Sequence, residues 1–300
     1  MAGSTVSRRA FGKFLRQIRL DAAKAALAAG LRIEVSKQTL LRLEDGIPTK
    51  IATSQLRDLL AFYGVSPQVE AEALSLWEEV REQAKAQQQQ GNSKGFWRPY
   101  SDQYEAHFPH YLRLESAADR ATTHQLVLVP GLLQTADYRR GVIRTEEPDI
   151  SAVDLERRIE LTARRQARLD DPRFRLDVLL SEAVLRHQPA APAAMANQLR
   201  SLAEMGEHDN VSVRAIPFAV GPHPGLTTRS FTLLEFPRLD SGLVEPSVVY
   251  VEGGNSVGVY HERGDIVDKY GRTISALAAV ALTEEGTRDL LLHCAKEFGA

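Results

Sequence analysis

The sequence predicts a small all-α domain followed by a larger mixed α+β domain. Three observations carry this reading. Five segments with helical spacing of apolar residues fall within about the first 85 positions. A polar stretch, KAQQQQGNSKG, occupies 85–95 and has the composition of a connector. Beyond it, short runs rich in β-branched and aromatic residues alternate with helical segments. The predicted boundaries are 1–85, a linker at 86–96, and 97–300.

In the first domain, Phe11, Phe14, Leu15, Ile18 and Ala22 follow the i, i+3, i+4, i+7, i+11 spacing of an amphipathic helix, with Ser7 as its cap. The alanine-rich residues 22–29 predict a short second helix. Ser36 caps a third, in which Leu40 and Leu43 face inward, Leu41 is exposed, and Gly46 and Pro48 stop the chain. A fourth starts at Thr49 or Thr53, buries Leu56, Leu59, Leu60 and Tyr63, and ends at Gly64. Ser66-Pro67 opens a fifth that runs into the high 80s with Val69, Ala73, Leu76, Trp77 and Val80 on one side.

In the second domain, helices are predicted over 102–119, 132–143, 152–169, 192–205 and 266–282, with a last one starting at Thr283. Strands are predicted over 123–129, 174–180, 211–216, 230–236 and 247–252, with a hairpin return at 257–260.

Composition bounds the function. With 43% apolar and 25% charged residues, the chain is ordinary for a globular protein. Its one cysteine, Cys294, excludes an intrachain disulfide and a cysteine-based zinc cluster, which fits a cytoplasmic location. Met1–Arg9 lacks the apolar core of a signal peptide, and no run reaches membrane-spanning length. Net charge is −2 overall, yet residues 1–60 carry 11 Lys and Arg against 5 Asp and Glu. A basic N-terminal segment on an acidic body is the footprint of local phosphate binding.

The third helix gives that charge a candidate role. A DNA major groove admits one α-helix, and bases are read there by forked or short polar side chains. Lys37, Gln38 and Arg42 lie along one edge of this helix. Gln38 suits adenine and Arg42 suits guanine or a phosphate. Ser36, Thr39, Arg16 and Lys50 are candidates for phosphate contacts, which position a protein without reading sequence. A two-fold dimer would place two such helices about 34–36 Å apart on a near-palindromic operator.

The stretch from Arg8 to Val65, containing VSKQTLLRLEDGIPT and LRDLLAFYGV, resembles the lambda-repressor-like, xenobiotic-response-element helix-turn-helix family. KGFWRPY at 94–100, LVPGLLQTADYRRGVI at 128–143, NVSVRAIPF at 210–218, GPHPGLTTRSFTLLEFP at 221–237 and VVYVEG at 248–253 narrow the resemblance. They are similar to an actinobacterial group of regulators whose C-terminal half is a conserved domain of uncharacterised function. The resemblance implies a five-helix lambda-repressor-like domain joined to an α+β regulatory domain. It also implies a cytoplasmic transcriptional regulator acting with a small partner protein encoded nearby, in an antitoxin-like arrangement. A homodimer on double-stranded DNA and a small-molecule effector are compatible partners. Two positions depart from the family pattern. Ala25-Ala26 replaces the usual Thr-Gln opening of helix two, and Glu34 replaces the usual glycine of the turn. They motivate the alternative of a protein-interaction regulator whose helix-turn-helix binds DNA weakly or without specificity.

No catalytic, cofactor or metal site is predicted. His107 and His110, with His124 further on, lack a metal-site signature. Their neighbours Trp97, Tyr100, Tyr104 and Phe108 read as aromatics that dock the start of the second domain, with a ligand pocket there as the alternative. Gly253-Gly254-Asn255 reads as a hairpin turn because no phosphate-binding lysine follows. Gly221-Pro222-His223-Pro224-Gly225 reads as a rigid loop, and Ser101-Asp102 belongs to no nucleophilic triad.

Overall fold

A computed structural model describes residues 6–89, 97–100, 103, 108–238, 245–253 and 258–299. The chain divides into two compact units, Met1–Arg98 with Phe236–Pro246, and Pro99–Glu235 with Ser247–Ala300. Residues 90–96 of the expected linker lie outside the described residues, as do Ser101, Asp102, Tyr104, His107 and the expected turn at Gly254-Asn255.

Among the described residues the first unit holds five α-helices: α1 Val6–Asp21, α2 Ala26–Arg32, α3 Lys37–Glu44, α4 Thr53–Tyr63 and α5 Pro67–Gln89. Their apolar faces meet in one core containing Phe11, Leu15, Ile18, Leu40, Leu43, Leu56, Leu59, Leu60, Leu76 and Trp77. Phe11 and Trp77 meet at a centroid distance of 5.1 Å with their ring planes tilted by 39°, and Trp77 Nε1 donates to Thr53 Oγ1. Three expectations are corrected. The second helix is 26–32, because Ala22 and Ala23 form a turn in which Ala23 takes a positive φ of 51°. Leu41 is half-buried rather than exposed. Residues 86–89, assigned to the linker, continue α5, since Ala and Gln are good helix formers.

The second unit is built on a six-stranded mixed sheet of order β3-β2-β1-β4-β5-β6. Its strands are β1 Arg120–Gln125, β2 Arg175–Ser181, β3 Val211–Ile216, β4 Phe231–Glu235, β5 Val248–Val251 and β6 Val259–His261. The helices are α6 Phe108–Ala117, α7 Ala136–Glu146, α8 Ala152–Gln166, α9 Glu182–Arg186, α10 Pro192–Met205, α11 Gly264–Val280 and α12 Glu284–Phe298. β1, β2 and β3 run parallel. Parallel neighbours need long crossovers, supplied by α7 with α8 and by α9 with α10. β4, β5 and β6 are antiparallel neighbours, joined to β1 through β4.

Alternation along the strands sorts the two faces of the sheet. Phe231, Leu233, Val249 and Val251 pack against Val267, Tyr270 and Ile274 of α11. The opposite face carries the cross-strand row Thr123, Thr232 and Tyr250, and Tyr250 meets Tyr111 of α6 at 4.7 Å between ring centroids. The strand expected at 123–129 starts at Arg120 and ends at Gln125. The helix expected at 132–143 is a short 3-10 turn, Gly131–Leu133, followed by α7. Thr135 sets that division by accepting a hydrogen bond from Tyr138 N as the α7 cap. The helix expected over 102–119 is described as α6, 108–117.

Candidate functional site

The third helix owes its placement to its ends and its inner face. Ser36 Oγ accepts from Thr39 N at 3.0 Å and sits 2.8 Å from Thr39 Oγ1, so the cap satisfies one of the unpaired first-turn amides. Leu40 and Leu43 are buried in the core. At the other end Glu44 is fully buried against Arg19 of α1, with Nε to Oε1 at 2.6 Å and Nη2 to Oε2 at 2.8 Å. Arg19 Nη1 also donates to Lys24 O at 2.9 Å. The chain then turns at Gly46, whose φ is +68°; a Cβ there would come within 2.7 Å of Arg9 Cα. Only glycine fits that close approach at that φ. Gln55 of α4 donates to Ile33 O at 2.8 Å, holding the turn between α2 and α3.

The outer face of α3 carries the expected side chains. Lys37, Gln38 and Arg42 are exposed, with Lys37 and Leu41, and Gln38 and Arg42, one helical turn apart. Ser36 is exposed and Thr39 half-buried; their hydroxyls are engaged with one another. Lys50 is exposed beyond Gly46. Arg16 is exposed but ion-paired, with Nη1 at 3.1 Å from Asp45 Oδ1. The basic count of the segment overstates its available charge. Arg9 and Arg19 are buried, Arg19 on Glu44 and Arg9 on Glu245 at 2.8 Å.

A second concave site lies within the second unit. A cavity of about 310 Å3 opens over the sheet face opposite α11. Its floor is Ala121, Thr123 and Gln125 of β1, Leu176 of β2, Thr232 of β4 and Tyr250 of β5. A polar chain crosses this floor. Gln125 Nε2 donates to Glu252 Oε1 at 2.9 Å and to Thr123 Oγ1 at 3.1 Å. Thr232 Oγ1 donates to Thr123 Oγ1 at 3.1 Å, and Thr123 Oγ1 donates to Phe231 O. One wall is the segment Leu128–Leu132 with Gln134. The opposite charge pair is Arg165 of α8 and Glu115 of α6, joined by two hydrogen bonds of 2.8 Å each. The Arg165 guanidinium lies over Phe108 and Tyr111, at 5.5 and 5.9 Å from their ring centroids. A Cβ on Gly131 would stand 3.0 Å from Arg165 Nη1, so the wall comes as close to that guanidinium as a glycine permits.

Burial shapes the protonation of this cavity. Desolvation pushes the Glu252 carboxyl above its ordinary range, against the opposing effects of Gln125 and Arg165. Desolvation pushes the Tyr250 hydroxyl up to about 12, with Glu252 adding to the shift. Burial opposes the charge of Arg165, but Glu115 outweighs it and holds the guanidinium above its usual value. Burial lowers Arg139, partly offset by Glu146.

Sequence reasoning named Phe108 for a ligand pocket but missed the rest of this cavity. Its wall comes from the segment LVPGLLQT, through Leu128–Leu132 and Gln134, which was informative as a motif but whose side chains carry no recognised ligand-binding spacing. Of His107, His110 and His124, the last two behave as packing groups, and His107 lies outside the described residues. His110 lies against Tyr260 at 4.7 Å between ring centroids, and His124 is fully buried with Nδ1 at 3.2 Å from Leu179 O. Among the described residues, no group of three or more His, Cys, Asp or Glu can hold a metal ion. Tyr100 is buried beneath the Arg164 guanidinium at 5.6 Å. No described helix is long and apolar enough to cross a membrane.

No curated protein and no solved structure matches the chain. A family model does match residues 108–293, which span the sheet, the cavity and most of α12. The chain therefore belongs to the family described as Domain of unknown function (DUF5753).

Proposed function

We propose that the chain is a sequence-specific DNA-binding transcriptional regulator, a binding protein rather than an enzyme. In this reading α2 and α3 form a lambda-repressor-like helix-turn-helix, and the DUF5753 unit serves regulation, dimerisation or contact with a small antitoxin-related partner in the cytoplasm. The observation that carries it is the outer face of α3: Lys37, Gln38 and Arg42 are exposed on a helix whose other side is fixed by Leu40, Leu43 and Glu44. A rigidly held helix presenting Lys37 and Gln38 in its first turn and Arg42 in its last suits major-groove readout. The test is binding of the full chain to promoter DNA from its own locus. Arg42→Ala weakens specific binding by about 1–3 kcal/mol, and Lys37→Ala lowers the salt slope by about 1. Wild-type behaviour in both variants would remove α3 from the interface.

A second reading is a protein-interaction regulator with weak or sequence-blind DNA binding. Leu27 and Leu31, one turn apart on α2, are 55% and 68% exposed, and exposed neighbouring apolar side chains suit a protein partner. Binding that is abolished by moderate salt and indifferent to DNA sequence would favour this reading.

A further inference from the structure

We propose that the cavity of the DUF5753 unit binds a small organic cation, a protonated amine or a guanidinium. The charge inventory of its lining leads there. Glu115, Glu146 and Glu252 line it together with Arg139 and Arg165. Arg165 is committed to Glu115 through two hydrogen bonds, and Glu146 lies close enough to Arg139 to favour its charge. Glu252 is the remaining acid. Its hydrogen-bond partner is the neutral amide of Gln125, and no Lys or Arg forms an ion pair with it among the described residues. Its surface is open toward the cavity rather than packed away. A carboxylate fixed by Gln125, turned to the cavity and without an ion pair of its own is placed to accept hydrogen bonds from a cation.

Gln134 points the same way independently. It is 6% exposed, and its Nε2 is fixed on Val129 O at 2.7 Å. That bond orients the amide, leaving Oε1 as a buried acceptor with no hydrogen-bond partner. A buried acceptor of this kind calls for an N–H donor. Tyr111, Tyr250 and Phe108 complete the lining, and aromatic faces attract ammonium and guanidinium groups. The row Gln125–Thr123–Thr232 fixes the direction of the Gln125 amide, so that it donates to Glu252 and holds one carboxylate oxygen in place. An anion would have only Arg139, because both hydrogen bonds of the Arg165 guanidinium to this lining go to Glu115. A volume of about 310 Å3 admits a molecule of amino-acid to nucleoside size.

The experiment is calorimetric titration of the full chain, without DNA, with putrescine, agmatine and tyramine. Succinate and 4-hydroxyphenylacetate serve as size-matched anions. At least one cation binds saturably at one per chain, and neither anion does. Glu252→Gln weakens that cation by at least about tenfold, and Gln134→Leu weakens it several-fold. Thermal unfolding of both variants checks that they are folded; should one fail to fold, the other decides. Absence of binding by all three cations at millimolar concentration overturns the proposal, as does preferential binding of the anions. Undiminished cation affinity in a folded Glu252→Gln variant overturns it too. Because no DNA is present, none of these outcomes bears on whether α3 reads a duplex.

Discussion

The guanidinium of Arg19 grips both carboxylate oxygens of Glu44, at 2.6 and 2.8 Å, inside the helical unit. One residue lies near the end of α1 and the other is the last of α3, so the pair fixes the angle at which α3 leaves the core. The Glu44 hydrogen bonds hold the Arg19 guanidinium above its ordinary value, despite some desolvation.

Removing one partner of this pair strands the other. Arg19→Met removes both hydrogen bonds to the buried Glu44 and leaves it only the 4.0 Å contact with Arg16 Nε, at a cost of about 3–5 kcal/mol. The double variant Arg19→Met with Glu44→Leu recovers most of that loss, because two apolar side chains need no partner. Urea unfolding followed by helical circular dichroism measures both. A single variant as stable as wild type would show that the pair does not anchor α3.

Glu34 sits in the turn between α2 and α3 with a φ of +59°, a region that L residues with a Cβ occupy at a cost. Glu34→Gly relieves that strain, offset in part by the greater freedom of glycine when unfolded. The net result is stabilisation of up to about 1 kcal/mol, read as a higher Tm. A lowered Tm would mean that the Glu34 side chain contributes more than its backbone conformation costs. The variant also removes a negative charge close to α3, so under the proposed function its DNA affinity rises.

Asp45 competes with phosphate for Arg16. The pair is half-exposed on both sides, and such surface pairs contribute about 0–1 kcal/mol to stability. Asp45→Asn therefore changes Tm little. It releases Arg16 from its closer carboxylate, leaving the 4.0 Å contact with Glu44, so under the proposed function DNA binding tightens and the dependence of log K on log salt steepens by up to about 0.9. An unchanged slope would exclude Arg16 from phosphate contact.

The helices of the first unit were legible because Leu40, Leu43, Leu56, Leu59, Leu60 and Trp77 repeat at helical spacing and are buried together. Local capping was legible too, in Ser36, Ser66 and Thr283. What local chemistry could not disclose was partnership over distance. Arg9 and Arg19 count as surface charge in a linear reading, yet they are buried on Glu245 and Glu44. Leu132–Leu133 lies in a 3-10 turn rather than a helix because Thr135 caps the helix that follows. Most of the cavity escaped notice for the same reason. Glu115, Gln134, Arg165 and Glu252 lie on four separate segments and meet only through the sheet and its crossovers. The order of six strands, with β1 between β2 and β4, is likewise set by long-range pairing.

Acid stability offers a test of the sheet interior. His124, in the central strand β1, is fully buried, with Nδ1 at 3.2 Å from Leu179 O and its ring 5.9 Å from Phe231. Burial lowers its pKa below the ordinary histidine value; the Leu179 carbonyl opposes this and nearby His223 adds to it. The folded state thus disfavours the imidazolium that the unfolded chain accepts readily below about pH 6.5. The unfolded state binds more protons in that window, so the stability contributed by neutral His124 is present above about pH 6.5 and is lost as pH falls through the depressed folded value. His124→Gln costs stability at pH 7.5 because it disturbs a packed site. Its deficit relative to wild type narrows on acidification, by at most about 1.4 kcal/mol per pH unit for one proton. Parallel urea titrations from pH 7.5 to 5, as round limits bracketing the histidine range, would measure this. Two stability curves that stay parallel across the range would show that His124 does not couple folding to protons.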